Sequence, residues 1–244
     1  MELTFCHPEF ECEVREQLGI FDRPLTDADA RNVRSLDLTN FSFSLEDLDT
    51  LSRFTELTDL GIEMHIVSSS FWRSFSKMQD LYLCCWGGPV DFDSFRKMED
   101  LKSLWVSGGD LSDIDFLNLN ALTDLKKLRI LGLHEFGTVD LAPLREMPQL
   151  RIFYLGWAKK LIDIETIGTM TQLNELKLNG LYVDDLDFLD MLPDTLQLEM
   201  CGNHVYGGVD PAKWNRFSKH NISEISVGDY KFDHIDLSAL SSNE

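Results

Sequence analysis

The sequence predicts an α/β fold: a right-handed solenoid whose parallel strands form a concave sheet and whose convex side is built of short helical or 3-10 segments. Three observations predict it. An apolar-x-x-apolar-x-apolar triplet recurs along nearly the whole chain. Its copies stand at a near-constant spacing, and the chain between copies is too short for a long helix.

The triplet reads Val33-Leu36-Leu38, Leu57-Leu60-Ile62, Met78-Leu81-Leu83 and Leu101-Leu104-Val106. It continues as Leu128-Leu131-Leu133, Leu150-Phe153-Leu155 and Leu173-Leu176-Leu178. Leu196-Leu198, with Leu192 displaced by one residue, makes an eighth copy, and Ile222-Ile225-Val227 a ninth. The central residues stand at 36, 60, 81, 104, 131, 153, 176, 196 and 225, so successive copies are 20 to 29 residues apart. That is the period of leucine-rich repeats. Strand side chains alternate, so each L-x-L buries its two leucines and exposes the residue between them. One repeat cannot bury its apolar face alone. Stacked repeats share one continuous core and one parallel sheet.

The return segments carry apolar residues at helical spacing: Leu45-Leu48-Leu51-Phe54, Phe92-Phe95-Met98, Leu141-Leu144-Met147, Ile164-Ile167-Met170 and Leu186-Leu189. About 15 residues allow one or two helical turns there. Two longer intervals are expected to hold more structure. Residues 110–127 contain Ile114, Leu117, Leu122 and Leu125, and residues 203–221 contain Trp214 and Phe217.

Residues 1–32 do not follow the repeat. Pro8 to Leu18 reads as an amphipathic helix with Phe10, Val14 and Leu18 on one side, and Gly19 as its stop. Thr26 is a candidate N-cap for a short turn beginning at Asp27. A solenoid end needs such a polar-faced cover, so the chain divides into an amino-terminal helical cap, 1–32, and a solenoid of about nine repeats, 33–244.

Three stretches carry a resemblance: Phe10 to Gly19, Pro24 to Asp29, and Val33-Arg34-Ser35-Leu36-Asp37-Leu38. Together they resemble the amino-terminal cap and first repeat of bacterial internalin-like leucine-rich repeat proteins, and the stretch Val139 to Leu155 is similar to their 22-residue repeat. The resemblance implies a protein-interaction scaffold with no cofactor and no reaction. One departure is plain. Such repeats carry Asn three residues after the last strand leucine, whereas here that column reads Phe41, His65, Trp86, Gly109, Phe136, Ala158, Leu181, Cys201 and Tyr230. Backbone groups that the asparagines would satisfy must find other partners.

Composition narrows the function. Hydrophobic residues are 43% and charged residues 26% of the 244, a globular composition. The formal net charge is −20, which argues against free nucleic acid; it suits a basic protein partner, and acidity also simply keeps a protein soluble. No basic segment followed by an apolar run opens the chain, so no signal peptide is expected, and no run is long enough to span a bilayer. Five cysteines, none in a C-x-x-C pair, fit a reducing, cytoplasmic setting.

The candidate site lies on the concave face. Residues between and beside the strand leucines include seven acids, Asp37, Asp59, Asp80, Glu63, Glu175, Glu199 and Glu224, against one base, Lys177. The middle of the face holds Tyr82, Trp105, Ile130, Ile152 and Tyr154. With strands about 4.8 Å apart, Trp105 and Tyr154 are expected to stand roughly 10 Å apart across Gly132, forming a slot with aromatic walls and a bare floor. Aromatic anchors within a polar rim are the pattern of binding hot spots. The expected partner-binding residues are Tyr82, Trp105, Gly132, His134 and Tyr154, with Asp59, Asp80, Glu63, Glu175 and Lys177 around them. The competing reading is that these aromatics only cover the sheet or meet a neighbouring element or subunit.

Other constellations are weaker. Cys84 and Cys85 point to opposite faces of a strand, and Cys84 lies two strands, about 10 Å, from His134, too far for a nucleophile and its base. Cys6, His7 and Cys12 lack a fourth ligand and a zinc spacing, so no metal is expected. Gly87-Gly88 and Gly207-Gly208 read as turns, and no cofactor is expected. The sequence therefore predicts a protein-binding scaffold and no enzyme. The alternative is an immunity-type inhibitor that neutralises a basic enzyme.

Overall fold

The computed structural model describes residues 1–39, 45–64, 71–85, 92–108, 116–205 and 221–227. The strands, in chain order, are β1 (Ser35–Leu38), β2 (Asp59–Met64), β3 (Asp80–Cys85), β4 (Ser103–Ser107), β5 (Phe116–Asn118), β6 (Ile130–His134) and β7 (Thr138–Asp140). They continue as β8 (Ile152–Gly156), β9 (Lys160–Ile162), β10 (Glu175–Asn179), β11 (Tyr182–Val183), β12 (Gln197–Val205) and β13 (Asn221–Val227). The α-helices are α1 (Pro8–Leu18), α2 (Asp27–Ala30), α3 (Leu45–Leu51) and α4 (Glu165–Thr169).

Nine described strands lie side by side in the order β1-β2-β3-β4-β6-β8-β10-β12-β13, every pairing parallel. Parallel strands joined by crossovers take the right-handed sense. The predicted inward residues form its spine: Leu36, Leu60, Leu81, Leu104, Leu131, Phe153 and Leu176 are each at most 2% exposed. Behind them run tandem tight turns. Phe75 N–H bonds to Trp72 C=O and Met78 N–H to Phe75 C=O, and the same pair recurs at Leu125 and Leu128, at Met147 and Leu150, and at Met170 and Leu173. Five of the described returns are 3-10 turns, at Phe71–Ser74, Phe92–Lys97, Asn120–Asp124, Ala142–Glu146 and Asp187–Met191, and α3 and α4 are short α-helical versions.

A second parallel sheet, β5-β7-β9, was not expected from the helical spacing. Its central residues Leu117, Val139 and Leu161, with Val183 in β11, recur at a strict interval of 22 residues. That period was legible in the sequence, but two or three residues are too few to show the alternation that marks a strand. The extra structure expected in 110–127 is thus β5 and the turn at Asn120. Ile114, and the interval holding Trp214 and Phe217, lie outside the described residues.

The eighth repeat is out of step with the sequence reading. Leu176 pairs with Leu198 and Leu178 with Met200, so the repeat is centred on Leu198, not Leu196. Leu196 is buried but precedes the strand, closing a turn onto Pro193 C=O. A one-residue slip would have exposed the leucines, whereas a two-residue slip keeps every side chain on its face. Leu196-x-Leu198-x-Met200 therefore fits either register by alternation alone. The ninth strand follows the shift with irregularities: Ile222, not Ile225, faces Leu198, and Ile225 faces Met200.

This shift restores an asparagine. Three residues beyond Met200 stands Asn203, 1% exposed, whose Oδ1 accepts from Leu181 N–H at 2.9 Å and whose Nδ2 donates to Leu178 C=O at 2.7 Å. In earlier repeats Phe136, Ala158 and Leu181 fill that column with buried apolar side chains. Their backbone is satisfied by main chain instead. Glu135, Trp157, Gly180 and Gly202 adopt left-handed φ of 62°, 54°, 62° and 65°. The N–H groups of the first three donate to Gly156, Asn179 and Cys201 C=O, carrying the ladder past the strand ends. The other column residues, Phe41, His65, Trp86, Gly109 and Tyr230, lie outside the described residues.

Ahead of β1, α1 ends at Gly19 with φ 64°, and Phe10 and Val14 are fully buried. Phe10 packs on Phe54 of the first return at 5.7 Å between ring centres. The fully buried Asp47 carboxylate in α3 accepts from the Cys6 and His7 N–H groups at 3.0 and 3.1 Å. Asp29 in α2 accepts from Thr26 N–H at 2.8 Å and takes the Arg23 guanidinium at 2.7 and 2.8 Å.

Candidate functional site on the concave sheet face

Strand register sets the outward-facing residues in rows. One row runs Asp37, Gly61, Tyr82, Trp105, Gly132, Tyr154, Lys177, Glu199. The row before it runs Ser35, Asp59, Asp80, Ser103, Ile130, Ile152, Glu175, Gln197, and the row after it contains Glu63, Cys84, Ser107, His134, Gly156 and Asn179. All ten expected partner-binding residues stand in these rows, but the structure sorts all except Glu63 into three groups.

The first group corrects an expectation. No slot is open between Trp105 and Tyr154. A β-carbon placed on Gly132 would lie 2.1 Å from Trp105 Cε3, so the indole already covers the glycine. The Trp105 and Tyr154 ring centres are 5.6 Å apart at 40°, and His134 stacks on Tyr154 at 6.1 Å and 13°. The physical reason is that a bare glycine beside a large ring leaves apolar surface wet. The indole folds across it and gains an aromatic neighbour.

The second group surrounds a cavity where none was expected. Because Trp105 leans toward Tyr154, the face is hollow on its other side, over Gly61. This concavity of about 470 Å³ is lined by Asp37, Asp59, Asp80, Tyr82 and Trp105, with Gly61 in its floor. Tyr82 is 46% exposed. Asp37 is held by Thr39, whose N–H and Oγ1 donate at 3.2 and 2.7 Å. Thr58 Oγ1 donates to Asp59 at 2.5 Å. Burial and the adjacent Asp59 carboxylate push the Asp80 pKa up, offset in part by Lys102. The signal that could have located the hollow is Gly61, a glycine between an acid and a tyrosine in the same row.

The third group is a closed ion network. Lys177 Nζ sits 3.2 Å from both Glu175 and Glu199, and these hydrogen bonds raise its pKa. Glu175 is thus engaged with Lys177 within the sheet. Glu63 stands beside Cys84 in register.

The thiols follow the strand geometry: Cys84 is half-buried, and burial pushes the Cys85 thiol up to about 12. All five cysteines are among the described residues, and no disulfide joins them. Near the amino terminus His7 Nδ1 meets Glu9 at 2.9 Å and Cys12 Sγ donates to Glu16 at 3.4 Å. Among the described residues no three His, Cys, Asp or Glu side chains form a metal-holding group, and no helix is long and apolar enough to cross a membrane.

The architecture is that of a leucine-rich repeat solenoid. No protein-family model matches the chain, and no curated protein matches it. Solved structures do. It is similar to internalin C2 of Listeria monocytogenes, with 18% identity over 80% of this chain and 92% of that one and a TM-score of 0.54. It is similar to the internalin InlF of the same organism, with 14% identity over 97% and 80% of the two chains and a TM-score of 0.62. It is also similar to the ectodomain of the Arabidopsis thaliana receptor kinase GASSHO1/SCHENGEN3 in complex with CASPARIAN STRIP INTEGRITY FACTOR 2. That likeness has 16% identity over 83% of this chain and 25% of that one, with a TM-score of 0.54. At these identities the likeness is one of fold.

Proposed function

We propose that this protein is a non-catalytic scaffold that holds a protein partner against the concave face of its sheet. The observation that carries this reading is the aromatic surface of that face: a half-exposed Tyr82 beside the Trp105–Tyr154–His134 stack, flanked by carboxylates. Rigid aromatic surface within a polar surround is where binding energy concentrates. Structural neighbours solved with bound partners, the receptor kinase above and the peptide hormone receptor RGFR1 with RGF2, support it. The net charge of −20 favours a basic partner, and with it the second reading of an immunity-type protein that neutralises a basic enzyme. Residues 1–32 serve as the cap that covers the amino-terminal end of the core, which leaves the concave face for the partner. The low cysteine density supports a reducing, cytoplasmic setting.

The test is site-specific photocrosslinking in extracts of the native cell. A crosslinker at Tyr154 or Lys177 captures a discrete partner, and one at Glu146 on the convex side does not. Capture from Glu146 alone overturns the reading. Trp105→Ala weakens binding of the captured partner by roughly 2 kcal/mol. Loss of a basic enzyme's activity on mixing identifies the inhibitor reading.

A further inference from the structure

The hollow over Gly61 differs from the rest of the concave face. Its described lining carries three carboxylates and no Lys, Arg or His. Asp59 and Asp80 stand opposite each other on adjacent strands, and their carboxyl groups lie close enough to hydrogen-bond. Lys102, outside that lining, offsets the charge at Asp80 only in part, whereas Lys177 sits directly between Glu175 and Glu199. Tyr82 and Trp105 wall the side toward the sheet centre. The volume of about 470 Å³ lies within the range of pockets that hold small groups.

We propose that this hollow receives one arginine side chain of the protein partner, its guanidinium against the paired carboxyl groups of Asp59 and Asp80 and its stem against Tyr82 and Trp105. Charge complementarity selects a cation. The planar fork of arginine bridges two carboxylates and stacks on an aromatic ring, which the compact ammonium of lysine does less well. Gly61 gives the access: any side chain there would stand in the floor of the hollow. The proposal rests on the concave-face reading and names the chemistry of its anchor.

The test is an NMR titration of the full chain with Nα-acetyl-arginine methylamide. Saturable shifts are expected at the Gly61 amide and the Trp105 indole N–H, and none with the norleucine analogue. Gly61→Val blocks binding. Its β-carbon meets only side-chain ends, Asp37 Oδ1 at 3.0 Å and Thr39 Cγ2 at 3.1 Å, so the fold tolerates it. Asp59→Asn with Asp80→Asn leaves the backbone untouched and weakens binding at least about tenfold. The proposal is overturned if no saturable shift appears, if norleucine or calcium chloride produces the same shifts, or if both variants bind like the parent. Arginine failure with partner capture retained from position 154 sinks the anchor and spares the scaffold. Loss of both sinks both.

Discussion

Asn203→Ala separates the two possible registers of the eighth repeat. In the structure Asn203 is 1% exposed and makes two hydrogen bonds to buried backbone, Leu181 N–H and Leu178 C=O. Alanine leaves both groups unmet. Each buried unsatisfied group costs about 1–3 kcal/mol, so the loss comes to about 2–6 kcal/mol. For a chain of this size each kcal/mol lowers the melting temperature by about 2–4 °C. Asn203→Leu sharpens the test. It installs the residue that occupies the same column one repeat earlier, at Leu181, which restores apolar volume but neither hydrogen bond. If the bonds carry the effect, leucine rescues little of the loss. Urea unfolding followed by circular dichroism reads both variants. Were the strand centred on Leu196, residue 203 would lie beyond the column, and alanine would change stability by less than about 0.5 kcal/mol, as ordinary surface substitutions do. That result would refute the register and the role assigned to the asparagine.

Further outcomes are expected. Leu131→Ala, at a fully buried position of β6, destabilises by about 2–5 kcal/mol through lost burial and a cavity, measured by the same unfolding curve. Gly132→Ala expels the Trp105 indole from its place on Tyr154, because the new β-carbon would lie 2.1 Å from Cε3; the Trp105 indole N–H resonance moves, and an unmoved resonance contradicts the stack. Alkylation of the native protein followed by mass spectrometry labels Cys84 before Cys85, whose buried thiol is held protonated up to about 12, and finds no bridge between them. The hydrogen bonds from Arg23 and Thr26 hold the Asp29 carboxyl well below the usual carboxylate range. Its stabilisation is therefore complete above about pH 4 and is lost as the pH falls through the lowered value, so Asp29→Asn flattens the acid limb of the melting-temperature profile. An unchanged acid limb sinks that assignment.

The sequence by itself determined the repeat, the face each leucine takes, the helix from Pro8 to Leu18 with its glycine stop, and the placing of Tyr82, Trp105 and Tyr154 in one outward row. These follow from period and alternation, which act within a few residues of the chain. Alternation with period two is blind to slips of two residues, so it could not choose between Leu196 and Leu198 as the centre of the eighth repeat. Pairing with Leu176 settled that, and Asn203 then fell into place. The second sheet was marked only by a 22-residue recurrence of Leu117, Val139 and Leu161, because strands of two or three residues carry too little pattern of their own. The site was decided at the last level. Sequence put a glycine between two large aromatic residues and suggested an opening over Gly132, but side chains fill space in three dimensions. The Trp105 indole covered that glycine to bury its own surface against Tyr154, and so moved the hollow three strands away, over Gly61, among the carboxylates.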